Sequence, residues 1–360
     1  MKAQVVKQNV GLDLSKDDFK ANLQQLLLGQ KIRIKGSRTF KNTLKGFKEF
    51  VKWLEKRCHQ EVVIRVTLEA TGVYYEQLVH YLHEQTDFHI SVMLPNKTKA
   101  YFKSLNIKSK TDKIDAKALG RMGLERDLER WEPMSDQIRP LRQLTRNRVS
   151  LIELKTAIKN RLHAQEYSYM PNKKVVRQLK RQIRLLDQQI KETESEIEEL
   201  ISIDKGLEER IDKICKIKGL RATTVAAIIA ETDGFTLFSS RSQLVSYAGY
   251  DIVQNQSGSS INGKTRISKK GNRYIRRALF LPAMSMSKHE PEFIRLYSRV
   301  FERTRIKMKA NVAVQRKALV MIYTLFKKNE SYDPNFANKD NDNIESIEKS
   351  RQETSPAYTG

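Results

Sequence analysis

Hydrophobic and polar positions vary with short periods over the first 125 residues, and this pattern predicts an α/β region. Three strand-like runs come first, at 4–14, 18–27 and 30–35. In the first run Val10, Leu12 and Leu14 share one face, and Gly11 and Asp13 share the other. Helices and strands then alternate, at 40–57, 62–68, 74–84, 90–94 and 97–124. Hairpin-like strands followed by this alternation indicate a mixed sheet.

After Pro140 the apolar positions follow a seven-residue period instead. The first run contains Leu141, Leu144, Leu151, Ile158 and Leu162, and the second contains Leu179, Ile183, Leu186, Ile190, Ile197 and Leu200. A break at 167–172 separates the two runs. Two heptad helices joined by a short turn predict an antiparallel coiled-coil hairpin, whose first arm and turn are strongly basic.

The remainder of the chain is predicted to be mostly α-helical as far as 325. The helices are interrupted at 251–271, where Ser, Gly, Asn and Lys are frequent. The segment 217–221, between two apolar helices, fits a phosphate-binding helix-hairpin-helix and a plain turn equally well. From about Ser331 the chain is polar and net acidic, which predicts a disordered tail. The predicted domains span 1–135, 136–205, 206–330 and 331–360.

The net charge of the chain indicates the kind of partner that it binds. The 360 residues include 67 Lys and Arg against 42 Asp and Glu, a formal net charge of +25, which predicts a polyanionic partner such as nucleic acid. The two cysteines, Cys58 and Cys215, fit neither a disulfide framework nor a zinc site. We find neither a signal peptide nor an apolar stretch of membrane-spanning length, which predicts a cytoplasmic protein with no membrane partner.

Four carboxylates are candidates for chemistry. Asp13 lies within a strand and Glu69 follows the end of another, and parallel neighbouring strands would bring these two side chains together. Asp112 and Asp115 share one face at the start of a predicted helix that lysines surround. Taken alone, that helix start also fits a solvated helix of mixed charge. If all four acids meet, their repulsion requires cations, and hard oxygen ligands select Mg²⁺ or Mn²⁺, a pair of which can clamp a phosphodiester.

A basic run without any acid ends the interruption and begins the next helix. Its members are Lys264, Arg266, Lys269, Lys270, Arg273, Arg276 and Arg277. Contact with nucleic-acid phosphates is the predicted role, and a solvated loop is the alternative. His80 and His83, three residues apart, are interpreted as part of a helix surface, because no third metal ligand accompanies them.

Three segments of the first half resemble one family. The segments Val10-Gly11-Leu12-Asp13-Leu14, Leu68-Glu69-Ala70-Thr71-Gly72 and Thr111-Asp112-Lys113-Ile114-Asp115 resemble the DEDD-type insertion-sequence transposases, which are relatives of the Piv-type DNA invertases. The resemblance implies a RuvC-like N-terminal domain with the ribonuclease-H fold. It also implies that Asp13, Glu69, Asp112 and Asp115 are the metal-binding acids, with Mg²⁺ or Mn²⁺ as the cofactor.

Four segments of the second half resemble the C-terminal transposase domain of the same family, at 217–220, 244–249, 256–258 and 267–279. That domain is implied to carry a nucleophilic serine, and Ser257 matches the position. The stretch 250–253 lacks the proline that usually precedes this serine, and the spacing to Ser268 is one residue longer than the common pattern. Ser259 and Ser260 therefore remain rival nucleophiles.

The resemblance implies a transposase or site-specific recombinase that cuts and rejoins donor and target DNA through the serine. Related enzymes are implied to use a structured guide RNA encoded by the element. They are also implied to assemble as homo-oligomers, dimers or tetramers, for which the coiled-coil arms are the natural contact. Two alternatives stay open, a RuvC-like junction-resolving nuclease that uses two-metal hydrolysis, and a binding protein with a decayed site.

Overall fold

A computed structural model describes residues 4–107, 109, 111–254, 256–257, 261–263 and 266–334 of the chain. Ser259, Ser260, Lys264 and the predicted tail beyond 334 lie outside these ranges. The chain divides into two compact units, Met1–Pro133 and Met134–Gly360. Within the described ranges, no helix is long and apolar enough to cross a membrane.

The first unit is built on a five-stranded mixed sheet. Its elements are β1 (Val5–Leu14), β2 (Asp18–Leu27), β3 (Ile32–Lys41), α1 (Leu44–Glu55), β4 (Ile64–Glu69), α2 (Glu76–Gln85), β5 (His89–Met93), α3 (Pro95–Ser104) and α4 (Asp112–Glu125). The strand order is β3-β2-β1-β4-β5. The first three strands are antiparallel, whereas β1, β4 and β5 are parallel. The prediction of a mixed α/β sheet is confirmed.

Two predicted boundaries differ from the structure. The strand expected at 30–35 extends to Lys41, because β3 pairs with β2 along its whole length. Phe40 therefore lies in that strand, and α1 begins only after Thr43, whose hydroxyl caps the helix. The helical run expected at 97–124 divides into α3 and α4. Asn106 adopts a left-handed backbone conformation between them (φ 52°), and Thr111 caps the second helix.

The two faces of the sheet are covered in different ways. On one face, α1 and α2 contribute to an apolar core with a cluster of aromatic rings, which are Phe19, Phe40, Phe47, Phe50 and Trp53. On the other face, α4 lies directly on the backbone of β1. A Cβ atom on Gly11 would lie 2.1 Å from the carbonyl oxygen of Ala116 and 2.1 Å from the amide nitrogen of Gly120. Only glycine permits this approach.

Polar side chains of the sheet bond to the underside of α4. The amide of Asn9 donates to the carbonyl of Gly120 (2.8 Å), and the amide of Gln24 donates to the carbonyl of Lys117 (2.7 Å). Thr67 donates in turn to the side-chain oxygen of Asn9 (3.0 Å). These buried bonds fix the position of the helix along β1, because an unpaired buried amide would be costly.

The second unit is mostly helical, as predicted. Its helices are α5 (Ile138–Glu166), α6 (Lys173–Ile203), α7 (Lys205–Cys215), α8 (Ala222–Glu231), α9 (Arg241–Tyr247), α10 (Arg273–His289), α11 (Pro291–Thr304) and α12 (Lys307–Lys328). Helices α7 to α12 surround one apolar core. Tyr332 packs against this core and donates to Glu290 (3.0 Å), so the packed chain continues past Ser331, where the tail was predicted to begin.

Helices α5 and α6 pair antiparallel across the turn at 167–172. Ion pairs join Arg148 to Glu194 (2.6 Å) and Lys155 to Asp187 along the pair. Leu179, Leu186 and Ile197 of the predicted seam are buried. The supercoil of a true coiled coil stays a prediction.

Replacing Gly11 with Ala should destabilise the first unit by about 2 kcal/mol or more, because the new methyl group meets helix backbone that cannot move aside. The urea midpoint of the full chain measures this loss. Gly29→Ala is the matched control, since a Cβ atom there meets nothing within 4 Å. If Gly11→Ala were as stable as the wild type, the stability of the first unit would not depend on the close packing of α4 against β1.

Candidate functional site

The four predicted acids of the first unit come from three elements. Asp13 lies near the carboxyl end of β1 and Glu69 is the last residue of β4. These strands are parallel with Leu12 opposite Leu68, so the two acids end up side by side. Asp112 and Asp115 occupy the first turn of α4, the helix that lies on β1.

Electrostatics shows that these acids act on one another. Burial, and after it the negative charges of Asp112, Asp115 and Glu69, raise the pKa of Asp13 from 3.8 to about 6. The ammonium group of Lys20 opposes this rise. The structure therefore brings the four carboxylates together at the end of the sheet where β1 and β4 finish. Their role as metal ligands stays a prediction.

Two side chains that the sequence did not single out complete this cluster. Lys20 stands opposite Asp13 in the β1–β2 pairing and forms an ion pair with Asp112. The hydroxyl of Thr98, in the first turn of α3, donates to Glu69. The register of the β1–β2 hairpin could have located Lys20, since it follows from the short turn between the strands. No local signal points to Thr98.

The donor set of this cluster fits a hard divalent cation. Carboxylate oxygens are the ligands that Mg²⁺ and Mn²⁺ prefer, and the raised pKa of Asp13 reflects its burial first and the negative charges of the other three acids second. Among the described residues, no group of three or more Asp, Glu, His or Cys side chains converges closely enough to hold an ion. Lys20 and Thr98 bond to two of the four acids instead.

Replacing Asp13 with Asn should stabilise the metal-free protein above pH 6. The folded state keeps the Asp13 proton up to about pH 6, whereas the unfolded chain releases it near 3.8. The ionised carboxylate therefore weakens the folded state at neutral pH, and this penalty vanishes below about pH 4. We expect a gain of about 1 kcal/mol at pH 7.5, after discounting for solvent screening of a half-buried group.

Urea unfolding in EDTA at pH 4 and pH 7.5 measures the difference between Asp13→Asn and the wild type. Asp17→Asn, at an exposed position in the turn after β1, is the control that should change little at either pH. If Asp13→Asn were less stable than the wild type at pH 7.5, the ionised carboxylate of Asp13 would not destabilise the folded state as we expect.

The predicted serine of the second unit lies in a small hairpin arm. We call 251–271 the serine arm, and within its described residues four two-residue strands form two pairs. They are β6 (Ile252–Val253) with β9 (Arg266–Ile267), and β7 (Gln256–Ser257) with β8 (Ile261–Asn262). Both pairs are antiparallel, and Ser257 stands opposite Ile261. The interruption predicted at 251–271 is thus a paired arm that places Ser257 toward its far end.

The base of the serine arm is tightly held. Gly249 has a left-handed φ of 74°, and a Cβ atom on Gly271 would lie 2.3 Å from the carbonyl oxygen of Tyr247. The side chain of Ser268 donates to Asp251 (2.7 Å) across the arm. The guanidinium of Arg276 donates to the carbonyl of Ala248 (2.7 Å). The arm therefore leaves the helical core with a defined direction.

The predicted phosphate-contact residues differ in their surroundings. Arg266, Lys269, Lys270 and Arg273 are exposed. Arg276 turns inward to the backbone at the base of the serine arm, and Arg277 forms an ion pair with Glu153 of α5. The last two arginines therefore have structural partners, which the basic pattern of the sequence could not reveal.

A buried carboxylate joins the base of the serine arm to two helices. Glu231, at the end of α8, is 1% exposed and accepts two hydrogen bonds from Arg146 of α5 (2.6 and 2.8 Å). It also accepts from the side chain of Asn272 (2.6 Å), the residue that caps α10 directly after the arm. Sequence reasoning missed Glu231, because its apolar helix gives no sign of a functional acid.

Replacing Glu231 with Gln should lower the free energy of unfolding by about 2 to 4 kcal/mol, because it removes the charge that compensates Arg146. The partial exposure of Arg146 keeps the loss below the largest values for buried pairs. Thermal and urea unfolding measure it. Glu208→Gln, in the exposed pair with Lys205, should cost less than about 0.5 kcal/mol and serves as the control. Similar losses for the two variants would refute an anchoring role for Glu231.

The turn at 217–221 packs against the helical core. Its Gly219 has a φ of 100° and lies against Ser285 of α10, and the backbone amide of Lys218 donates to Glu290 (2.8 Å). That amide is therefore bonded within the protein, which favours a plain turn over a phosphate-binding one.

Comparison with known proteins finds two family profiles that match parts of this chain. A profile of the DEDD domain of IS110-type elements, described as Transposase, matches residues 10–171. A second profile, described as Transposase IS116/IS110/IS902 family, matches residues 211–298. The first match includes all four acids of the cluster, and the second includes the serine arm.

Three relatives are similar to the chain. A pilin gene-inverting protein of Moraxella bovis is 29% identical over 328 residues, which cover 91% of this chain and 98% of that protein. A pilin gene-inverting protein of Moraxella lacunata has the same identity and coverage. An uncharacterized 43.6 kDa protein of the insertion element IS110 from Streptomyces coelicolor is 25% identical over 120 residues, 33% of this chain and 29% of that protein.

The mixed sheet, the acid cluster and these matches define an enzyme of DNA recombination, a transposase or recombinase. The chain matches the IS110-type DEDD profile over 10–171 and the second transposase profile over 211–298, and it is similar over most of its length to the pilin gene-inverting proteins.

Proposed function

We propose that the chain is the transposase of an insertion sequence and that it cuts and rejoins DNA through a serine nucleophile. The observation that carries the proposal is that Asp13, Glu69, Asp112 and Asp115 interact electrostatically at one end of the sheet, in a chain that matches both transposase profiles. A serine-bearing arm and a strongly basic chain support it. The relation to Piv-type invertases, with a RuvC-like first domain, belongs to the same proposal.

In the proposed reaction the Oγ atom of Ser257 attacks a phosphorus atom of DNA. An Oγ–P bond forms, and the bond from phosphorus to one sugar oxygen breaks. The serine proton passes to a base, and the freed sugar oxygen takes up a proton. Attack by another sugar hydroxyl on the phosphoserine ester rejoins the strands without ATP, because the ester conserves the bond energy.

The proposed role of the carboxylate cluster is to bind a divalent cation. We propose that Asp13, Glu69, Asp112 and Asp115 hold Mg²⁺ or Mn²⁺, and that Lys20 releases Asp112 when the cation is bound. A cation held there would supply positive charge against the negative charge that develops on the phosphate. The negative charges of Asp112, Asp115 and Glu69 act on Asp13, so binding of a cation would relieve a repulsion that the fold maintains.

Donor and target DNA are the proposed substrates, and a structured RNA encoded by the element is the proposed guide. Exposed Arg266, Lys269, Lys270 and Arg273 would contact phosphates near the serine arm, together with Lys264. We further propose a homo-oligomer, a dimer or tetramer, with the coiled-coil hairpin as a contact between copies. In such an assembly the carboxylates and the serine of one reaction centre would come from different subunits.

One other enzyme class fits part of the site. A RuvC-like junction-resolving nuclease needs the four carboxylates but no serine, since water is the nucleophile in two-metal hydrolysis. The two classes differ in their product, which is a covalent protein–DNA adduct for the transposase and a free phosphate end for the nuclease.

We expect Ser257→Ala to abolish both strand exchange and the covalent adduct, because the attacking oxygen is gone. The measurement is a denaturing gel of a nicked DNA substrate with radiolabel transferred to protein, in Mg²⁺ with the full chain and its RNA. Asp13→Asn and Glu69→Gln should also lose the adduct. Unfolding midpoints of all variants, compared with the wild type, separate lost chemistry from lost folding.

Ser259→Ala and Ser260→Ala are the matched controls, because they remove neighbouring hydroxyls of the same arm. Both should keep the adduct. An adduct formed by Ser257→Ala would assign the nucleophile to another residue. DNA cleavage by the wild type with no adduct in any metal would favour the junction nuclease.

A further inference from the structure

The turn between α5 and α6 exposes large apolar side chains. Tyr167 is 81% exposed, Tyr169 is 98% exposed and Met170 is 82% exposed, at the end of two long helices. The ring of His163 stacks on Tyr167 with a centroid distance of 4.6 Å. Two tyrosine rings that face solvent at one place are unusual, because a folded chain normally buries such area. They are available to a partner.

The surroundings of these rings are strongly positive. Between residues 155 and 184 the chain has nine Lys and Arg residues and one acid, Glu166. We call 155–184 the hairpin tip. An open groove of about 390 Å³ lies on it, lined by Lys173, Arg177, Arg181 and Arg184 among others. The single acid, Glu166, forms an ion pair with Lys180 (2.8 Å). The charge of the tip therefore selects a polyanion.

We propose that the hairpin tip binds unpaired nucleotides, with Tyr167 and Tyr169 stacking on bases and the groove arginines holding phosphates. Stacking needs a free base face, which a double helix hides. Cations alone would bind duplex and single strand alike, so the exposed rings are what favours unpaired bases. At the tip itself, in contrast to the rest of the hairpin, a second copy of the chain is a poor occupant, because two surfaces this positive repel each other.

The inference rests on the proposed function only in its assumption that the partner is nucleic acid. Single-stranded RNA and single-stranded DNA share the chemistry that the tip recognises, namely an exposed base face beside a phosphate. The loops of a folded RNA and the strands opened during DNA exchange are the two sources of such nucleotides in a transposase. The test compares them directly.

The experiment measures fluorescence anisotropy of three labelled probes with the full chain. The probes are a 20-nucleotide oligouridylate, a 20-nucleotide oligothymidylate and a 20-base-pair DNA duplex. We expect the double variant Tyr167→Ala with Tyr169→Ala to bind the single strands at least about tenfold more weakly, because each stacked base contributes strongly to affinity. Binding to the duplex should change less than about twofold. A larger loss on one single strand identifies RNA or DNA as the preferred source.

Three controls make the result specific. Tyr167→Phe with Tyr169→Phe keeps the rings and should restore binding to single strands. Ile203→Ala, at an exposed position on the far end of α6, should leave all three affinities unchanged. Arg177→Ala with Arg181→Ala should weaken binding to single strands and duplex alike and reduce the dependence of affinity on salt.

An equal loss on all three probes, or no loss on any, would overturn the inference. A variant that binds nucleic acid normally but changes oligomeric state in size-exclusion chromatography would also overturn it and assign the tip to contact between copies. The tip and the nucleophile can therefore fail separately, since anisotropy requires no catalysis.

Discussion

The contact between α4 and β1 is the constraint on which the first unit depends. Gly11 and Gly120 let the helix touch the backbone of the strand, and Asn9 and Gln24 bond to its carbonyl groups from below. A helix held this closely carries its first turn to the end of the sheet where Asp13 stands. The distance between the acids is therefore set by backbone packing, which is far stiffer than a side chain.

That packing has an electrostatic consequence. Burial, together with the negative charges of Asp112, Asp115 and Glu69, raises the pKa of Asp13, so the ionised carboxylate destabilises the metal-free fold at neutral pH. Lys20 and Thr98 offset part of this cost by bonding to Asp112 and Glu69. Repulsion of this kind is typical of functional sites, and the proposed cation would relieve it.

The buried acid of the second unit, Glu231, is neutralised by its neighbours, unlike the acids of the first unit. Glu231 is buried, but its negative charge is compensated by hydrogen bonds from Arg146 and Asn272. It therefore rigidifies the base of the serine arm and needs no ligand to neutralise it. The arm is thereby fixed where it leaves the core.

At the other end of α5, the hairpin tip keeps its aromatic rings and cationic side chains exposed, as a surface that binds a partner requires. One helix thus connects a rigid anchor to an open binding surface.

Periodicity, read from the sequence alone, determined the mixed sheet and the helical second half, because hydrophobic spacing is a local property. Short motifs singled out the four acids, whose role as metal ligands stays a prediction. They could not determine that β3 runs to Lys41, that Lys20 pairs with Asp112, or that Arg276 turns inward. Strand register, helix packing and burial decide those contacts, and each depends on residues far apart in the chain. Glu231 is the clearest case, since its arginine lies 85 residues away and meets it only when α5 packs against α8.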